Sequence, residues 1–390
     1  MERRKFIQLT ATGTGGLLLL PNFLTAQSLW SADANLLTDE VVVFIQLNGG
    51  NDGLNTFIPF DNPLYYENRP SIGIGKQQII NAINGMGFHP ALKDLATISQ
   101  EGNLSIIQNV GYPEPNRSHF RSIEIWQTAS NSQQYLDDGW LGRFLEIQCK
   151  DETLAALNVD SIDNLALKSS LMNSVTVKDF AKIRNYGAEE KELMLSDNPQ
   201  LDFVRKLQFA SLEGMEEIQK ALKNGNSVDE TYSNNELAKN LQWIGKLIKG
   251  NLQSKVYYTS LNGFDTHKNQ TTLHQKQLTI LNDAVYSFYK DMKKHNLLQR
   301  VTVVVFSEFG RRVKENGSGT DHGTAGPMMV IGGKNKGKVI GKNPNLATLD
   351  KGDLMHEIHF RSVYAALLKS KFNFEATQIG IDNAPLEGLF

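Results

Sequence analysis

Hydrophobic residues fall into short runs of two kinds along this chain, and together these predict alternating strands and helices. Six runs are continuous and rich in β-branched residues, which is typical of strands buried on both faces of a sheet. They span 41–47, 104–108, 154–159, 256–259, 301–306 and 328–331. A helix with one apolar face is predicted where hydrophobic residues repeat at spacings of three and four, at Leu278, Leu281, Val285, Phe288 and Met292. This alternation predicts an α/β fold with a mostly parallel central sheet flanked by helices on both faces.

The stretch from about 196 to 250 breaks this alternation. It is rich in Lys, Glu and Gln, and Leu201, Val204 and Leu207 repeat with helical spacing before a polar break at 224–227. We expect a helical insertion or cap here. The stretch offers no convincing metal-ligand spacing, so its charges are expected to face solvent.

The first 26 residues have the layout of a secretory signal. Arg3 and Arg4 precede a weakly apolar run at 9–20 and a small-residue exit that ends at Ala26. The paired arginines favour the twin-arginine export machinery, although chance pairing is the alternative. The apolar run is too short to span a bilayer, which needs about 20 residues. We therefore expect a signal peptide over 1–26 and a single domain over 27–390, periplasmic or extracellular, with no stable membrane span.

Composition excludes some partners and one source of stability. Lys and Arg total 40 against 42 for Asp and Glu, so no basic excess indicates nucleic acid binding. A chain of 390 residues can bury a large core. Cys149 is the only cysteine, so an intramolecular disulfide is impossible.

Polar, Gly-flanked segments follow several of the predicted strands, at the strand end where open parallel sheets bind ligands. Asp52 follows the first strand, and Asp265 and His267 follow the fourth. Asp265 and His267 are two residues apart, so in extended backbone both side chains point to one side and both reach one ion. The alternative for Asp52 is a plain turn, because Asn-Asp-Gly is good turn chemistry.

A second such segment follows the strand that starts at 104. Ser118 lies between Arg117 and Arg121, which are candidates for binding an anionic group, and a serine becomes a nucleophile when a base or a metal activates it. His119 is a candidate ligand, base or acid. The alternative for Ser118 is a helix N-cap, a role compatible with nucleophilic attack because the helix dipole favours negative charge there.

The segment after the strand at 301–306 contributes further candidates. Glu308 offers oxygen ligands, Arg311 is a candidate bidentate clamp for a tetrahedral oxyanion, and Asp321 or His322 completes a metal shell. The alternatives are a buried ion pair for Glu308 and a turn cap for Asp321.

Seven motifs resemble those of one family. They lie at 47–56, 110–113, 118–120, 138–143, 263–267, 307–311 and 319–323. On these residues the chain resembles the DUF1501 family of exported bacterial proteins. That family is similar in fold to the alkaline phosphatase and sulfatase superfamily, whose members hold two metals around a nucleophile at the carboxyl end of a central sheet.

The resemblance implies an alkaline phosphatase-like fold and a divalent metal ion, with Zn, Mg, Mn and Ca all open. Its implied metal ligands are Asp52, Asp265, His267, Glu308 and His322. The resemblance also places Ser118 in the nucleophile region, with His119 beside it. Arg117, Arg121 or Arg311 would neutralise the charge of an in-line displacement.

Two departures from the superfamily pattern matter. The superfamily usually has Asp-His where this chain has Glu308-Phe309, so one metal site loses a ligand unless His119 replaces it. Neither Cys149 nor Ser118 lies in the Cys/Ser-x-Pro-x-Arg motif of formylglycine sulfatases.

These residues predict an exported metal-dependent hydrolase of phosphate or sulfate esters, acting on a small-molecule or glycan ester. Ser118 would be its nucleophile or a ligand. The alternative is a catalytically degenerate relative that binds an envelope component or a polyanionic glycan, and Phe309 is the residue that favours it.

Overall fold

The computed structural model describes residues 39–150, 152, 154–170, 174–180, 213–225 and 230–390. Each of the six predicted apolar runs contains a strand. The strands are β1 (Val41–Asn48), β2 (Phe57–Ile58), β3 (Ile80–Ile83), β4 (Met86–Phe88), β5 (Leu104–Gly111), β6 (Ala156–Asn158), β7 (Ser174–Thr176), β8 (Val256–Asn262), β9 (Val301–Ser307), β10 (Gly326–Gly332), β11 (Val339–Ile340) and β12 (Ile358–His359).

Seven α-helices with complete bounds connect these strands within the described ranges. They are α1 (Pro63–Asn68), α2 (Lys93–Gln100), α3 (His119–Thr128), α4 (Trp140–Gln148), α5 (Glu236–Lys249), α6 (Gln270–Lys294) and α7 (Phe360–Phe372). Residues 213–224 are also helical. Short 3-10 helices lie at Gly53–Asn55, Lys76–Gln78, Pro90–Leu92, Leu165–Leu167 and Ala376–Ile379.

Nine of the described strands form one sheet in the order β11-β5-β10-β9-β1-β8-β6-β7, with β12 also paired to β5. The pairs among β9, β1, β8, β6 and β7 are all parallel. β10 runs antiparallel to both of its neighbours, β9 and β5. The prediction of a mostly parallel sheet is confirmed. The apolar run of β10 did not reveal that this strand is antiparallel to its neighbours. A second sheet of three antiparallel strands has the order β2-β4-β3.

Helices cover both faces of the large sheet. The alternate residues of β1, which point to opposite faces, show this. Val43 and Ile45 belong to one hydrophobic cluster, which includes Leu281 and Phe288 of α6. Phe44 belongs to another cluster, formed with residues of α3, α4 and α7. Both faces are therefore apolar, as strands without polar alternation require. The predicted flanking helices are confirmed.

The pairing register brings the ends of several strands to one edge. Asn48 is aligned with Asn262, and Leu47 with Ser307, so the segments that follow β1, β8 and β9 begin side by side. Because β10 is antiparallel to β9 and β5, Val110 near the end of β5 lies opposite Gly326 at the start of β10. Residues far apart in the chain consequently meet at this edge.

Two predictions fall partly or wholly outside the described residues. The predicted signal peptide, 1–26, lies outside them, as does much of the predicted insertion before 213. In the described part, α5 packs buried Leu241 and Ile244 into the same cluster as α6. The extent of the insertion stays a prediction. Within the ranges that the structure describes, no helix has both the length and the apolar character to cross a membrane.

Candidate metal centre

Two histidines and a carboxylate converge at this edge of the sheet. The ligand atoms of His119, Asp265 and His322 all lie within 4.8 Å of one another. Nε2 of His119 lies 3.0 Å from Nε2 of His322 and 3.4 Å from Oδ1 of Asp265. The His322 Nε2 is 3.1 Å from the same Asp265 oxygen. The side chains are partly exposed, 23% for His119, 24% for His322 and 48% for Asp265, so the cluster is open to solvent.

A third histidine lies beside this group. Nε2 of His267 is 3.0 Å from Nε2 of His322 and 3.0 Å from Oδ1 of Asp265. The sequence expectation that Asp265 and His267 point to one side therefore agrees with their positions. Three imidazoles and one carboxylate therefore lie close together, and they come from three separate segments of the chain.

Each imidazole has its other nitrogen, Nδ1, against an oxygen outside the group. These oxygens are Glu308 Oε1 for His119 (2.7 Å), Asp321 Oδ1 for His267 (3.2 Å) and the Arg117 carbonyl for His322 (2.7 Å). A carboxylate or carbonyl oxygen only accepts, so each Nδ1 carries the hydrogen and donates it. In a neutral imidazole the lone pair is then on Nε2. The Nε2 atoms of all three rings lie 3.0–3.4 Å from Oδ1 of Asp265.

Such a set of donors fits a metal ion. Nitrogen and carboxylate oxygen atoms at 3.0–3.4 Å repel one another unless a proton or a cation lies between them. Ligands about 2.0–2.1 Å from a tetrahedral zinc lie roughly 3.3 Å apart, which is close to the separations among His119, Asp265 and His322. Histidines whose second nitrogen binds a carboxylate or a carbonyl are also usual at metal sites. The residues present therefore fit a divalent metal bound by imidazole and carboxylate.

Arg311 contacts the carboxylate of this cluster. Its Nη2 donates to Asp265 Oδ1 at 2.6 Å. Burial by itself would raise the pKa of Asp265, but the hydrogen bond and charge of Arg311, with help from His322 and His267, lower that pKa to about 2. Asp265 is thus held as a carboxylate at neutral pH, the form that binds a metal.

The remaining hydrogen bonds of Arg311 go to backbone carbonyls. It is 2% exposed and donates to Gly49, Gly50, Phe264 and Thr320 at 2.6–3.0 Å. A guanidinium committed to five protein acceptors has little left to offer a substrate oxyanion. The structure brings Arg311 to the cluster as a positioning residue for Asp265, whereas the sequence suggested an anion clamp.

Glu308 lies one step outside the converging atoms. It is fully buried, and Oε1 accepts from the Gly49 N–H at 2.9 Å as well as facing His119. The hydrogen bond to Glu308 raises the pKa of His119, although burial opposes the shift. Glu308 therefore makes His119 a better ligand and orients its ring, in place of the direct ligation that the sequence suggested.

Phe309 closes the inner side of the cluster. Its ring is 3% exposed, with its centroid 4.8 Å from that of His119 and 5.1 Å from that of His322. The close approach requires glycine at position 50, because a Cβ there would lie 2.3 Å from Phe309 Cε2. Gly50 also has φ +70, which favours glycine. The Phe309 ring thus packs against the imidazoles of His119 and His322, and it lies nearer to His119.

A family model described as "Protein of unknown function (DUF1501)" matches residues 104–372, which is more than half of the chain. The chain belongs to this family. The predicted membership is confirmed, and the matched range includes every member of the histidine cluster. Asp52 lies outside it. Among curated proteins, none matches this sequence.

Solved structures similar to this DUF1501 chain are distant. One is a protein in the alkaline phosphatase superfamily from Vibrio parahaemolyticus, at 10% identity over 88% of this chain and 69% of that chain, with a TM-score of 0.40. Another is the phosphonate monoester hydrolase of Agrobacterium radiobacter, at 8% identity over 89% and 76%, TM-score 0.42. A third is the C-terminal periplasmic domain of EcEptC from Escherichia coli in complex with Zn, at 12% identity over 76% and 74%, TM-score 0.39.

Ser118 takes the N-cap position of α3, directly before His119. It is exposed, and its side chain makes no capping hydrogen bond. The alternative role as a capping side chain therefore has no support in the structure. The hydroxyl stands at the positive end of a ten-residue helix, next to a member of the cluster.

The two arginines that flank Ser118 have different surroundings. Arg121 is 8% exposed, pairs with Glu124 at 2.7 Å, and donates to the carbonyls of Asn131 and Ser132, so it holds a loop in place. Arg117 keeps a side chain that is 39% exposed and pairs with buried Asp353. Of the two predicted anion-binding residues, only Arg117 is open to solvent beside the cluster.

Asp52 is not brought to the histidines. It is 1% exposed, and Oδ2 accepts from Arg69 at 2.6 Å and from Gln270. Burial would raise the pKa of Asp52, yet Arg69 and its neighbours lower it. None of its described hydrogen bonds reaches His119, His267 or His322. In this DUF1501 chain a guanidinium neutralises the aspartate that resemblance assigned to a metal.

Sequence reasoning missed the partners that decide these roles. Arg69 lies in an Asn-Arg-Pro turn and Asp353 in a polar loop, and neither position carries a recognisable motif. Asp321 was noted only as an alternative ligand, and its contact with His267 Nδ1 needed the folded chain. The one available signal was the Asp-His pair between two glycines at 319–323.

Proposed function

We propose that this DUF1501 chain is a metal-dependent hydrolase of phosphate or sulfate esters. The observation that carries the proposal is the convergence of three imidazole Nε2 atoms on the Asp265 carboxylate, with every Nδ1 against an outside oxygen. A structural ion pair needs none of this arrangement. Three imidazoles favour zinc over magnesium or calcium, which prefer oxygen ligands.

A divalent metal at this site would supply a Lewis acid that offsets the negative charge of a tetrahedral ester group. The chain's own residues prepare the site for it. Arg311 keeps Asp265 ionised, Glu308 orients His119, and the Phe309 ring packs against that of His119. Because these supports are buried, the cluster keeps its geometry before any substrate binds.

The same residues support a single metal ion. The superfamily resemblance implies two metal ions. In this chain, however, Arg69 neutralises Asp52, and Arg311 links Asp265 to the segments that follow β1 and β8. Both guanidiniums supply positive charge next to the carboxylates. We therefore propose that the site holds one metal ion, because Arg69 and Arg311 already neutralise the two aspartates.

Ser118 is the proposed nucleophile. It is exposed at the N-terminus of α3, where the helix dipole favours a developing oxyanion, and it is adjacent in sequence to His119. Arg117, partly exposed and next to Ser118, is the proposed contact for the anionic group of the ester.

Export is proposed on the sequence alone. Arg3 and Arg4 with the apolar run that follows support a twin-arginine signal over 1–26 and a periplasmic or extracellular mature protein. A folded, metal-loaded domain suits that route.

A binding role is the second candidate, and Phe309 is the observation that favours it. It replaces a superfamily ligand, and a degenerate member would keep the fold and one ion to hold an envelope component or a polyanionic glycan. His119 beside Phe309 weakens this alternative, since it supplies the missing imidazole.

Metal content and turnover together test the proposal. Protein purified without added ions should contain about one equivalent of metal, lost in the Asp265→Asn/His322→Gln double variant. The surface variant Asp61→Asn, which removes an exposed carboxylate paired with Lys76, should keep it. Turnover of p-nitrophenyl phosphate or p-nitrophenyl sulfate should disappear with a chelator and return with Zn²⁺.

Ser118→Ala separates catalysis from binding. It should lower kcat by about a hundredfold or more while leaving the metal content unchanged. Equal, near-zero metal in the wild type and the double variant would contradict the metal centre. Bound metal without turnover of either ester would instead favour the binding role.

A further inference from the structure

A cavity of about 270 Å³ opens beside the metal centre. Glu308, whose carboxylate contacts His119, forms part of its wall and so links the cavity to the histidine cluster. At roughly 30 Å³ for each water, it has room for an organic group of several heavy atoms. Its other walls come from the segment after β5 and from a loop that precedes β12, including Tyr112, Glu114, Asp350, Met355 and His356.

Contacts between the wall segments hold the walls in place. The Glu357 N–H donates to the Asn109 carbonyl at 2.9 Å, and the Thr324 hydroxyl donates to the Leu354 carbonyl. A Cβ at Gly111 would lie 2.9 Å from that of His356, so the two segments are closely packed. The cavity is therefore part of the folded chain and does not need a ligand to form it.

Charge on the walls has one sign. Glu114 and Asp350 contribute exposed carboxyl groups, Glu308 contributes a buried one that faces His119, and none of the described residues that line the cavity is Lys or Arg. Burial lowers the pKa of His356, so its ring is neutral at pH 7. Arg117, near the cluster, is already paired with Asp353. The cavity is consequently unfavourable for an anion and favourable for a neutral or cationic group.

We propose that this cavity is the subsite for the organic group of the ester, and that it selects neutral or cationic groups over anionic ones. The inference rests on the proposed function and deepens it. The tetrahedral anion faces the histidine cluster and Arg117, while the organic group enters the acidic cavity past Glu308. A polyanionic glycan does not fit such walls.

Binding of three matched phosphonates to the metal-loaded full chain tests the charge selection without requiring turnover. The probes are 3-aminopropylphosphonate, butylphosphonate and 3-carboxypropylphosphonate, and calorimetry gives their Kd values. The amino compound should bind about tenfold more tightly than the carboxy compound. Glu114→Lys should reduce this ratio by about fivefold, and Glu67→Lys, an exposed reversal on α1, should not change it.

A second variant tests the location. Met355 is 47% exposed at the cavity, so Met355→Trp is tolerated by the fold and narrows the entrance. It should weaken butylphosphonate several-fold and leave inorganic phosphate unchanged. Leu273→Trp, at a residue 41% exposed on α6, is the matched control.

Three outcomes overturn the subsite: no binding of any phosphonate, equal affinity for the amino and carboxy compounds, or a Met355→Trp effect equal for butylphosphonate and phosphate. Failure of the proposed hydrolase has a different signature. There, the preference for the amino compound persists while neither p-nitrophenyl ester is turned over.

Discussion

At the scale of single residues, the three histidines of the cluster differ in what holds them. Glu308 is fully buried at His119, whereas the side chain of Asp321 is 61% exposed at His267. A buried carboxylate polarises an imidazole more strongly than an exposed one, because water screens the latter. The two positions form a natural comparison within one site.

Glu308→Gln should lower metal affinity by about 10–100-fold, because the neutral amide polarises His119 less and orients it less firmly. Competition with a chromophoric chelator measures this. Asp321→Asn, the exposed counterpart, should have a clearly smaller effect. Equal effects of the two variants would show that burial of the carboxylate does not matter.

At the scale of elements, α6 joins the site to the core. Its first residue, Gln270, donates to Asp52 and accepts from Thr320, while residues further along, such as Phe288, pack under the sheet. One turn into the helix, His274 is 2% exposed and lies 2.9 Å from Asn51 Oδ1. Burial lowers the pKa of His274 to about 3, although the Asp52 carboxylate opposes the shift.

His274 should make the fold sensitive to acid. In the unfolded chain its pKa is about 6.5, so below that pH the unfolded state takes up a proton that the folded state does not. Stability is therefore complete above about pH 6.5 and falls as pH drops toward the folded pKa, by up to about 1.4 kcal/mol per pH unit.

Urea denaturation at pH 7 and pH 5 measures this loss. The wild type should lose about 2 kcal/mol from His274 between the two values, and His274→Gln should lose correspondingly less. Parallel losses in the two proteins would assign the acid sensitivity to other groups.

At the scale of the whole molecule, Arg311 joins segments that are far apart in sequence. Its guanidinium binds the backbone after β1, after β8 and before β10, in addition to Asp265. Removing the Arg311 guanidinium would leave several buried carbonyls without hydrogen-bond donors, and each unpaired carbonyl would lower the free energy of unfolding. One side chain thus couples the stability of the sheet edge to the geometry of the candidate metal centre.

Arg311→Lys should lower the free energy of unfolding by about 3 kcal/mol or more, because a lysine cannot reproduce the planar fork. The neighbouring Arg312→Lys is the control. Its side chain is 33% exposed and bonds the Lys351 carbonyl at 2.7 Å, so a loss below about 1 kcal/mol is expected. Urea titration compares the two, and similar losses would refute the role given to Arg311.

Local pattern was sufficient for much of this fold and for several of the residues that meet at the sheet edge. Buried strands appear in sequence as continuous apolar runs, and polar segments that follow parallel strands collect at one edge, so Asp265, His267 and His322 were correctly expected to lie close together. The direction of β10 was not predictable, since an apolar run has the same composition in either direction.

Roles within the site needed the tertiary structure. His119 and Glu308 are 189 residues apart in the chain, and His119 and His322 are 203 apart, so no sequence spacing reveals which nitrogen faces which oxygen. The sequence by itself determined the strands, the edge and the residue types gathered there. The folded chain alone decided that Arg69 neutralises Asp52, that Arg311 is buried, and that His119 stands beside Phe309, because these follow from long-range packing and hydrogen bonding.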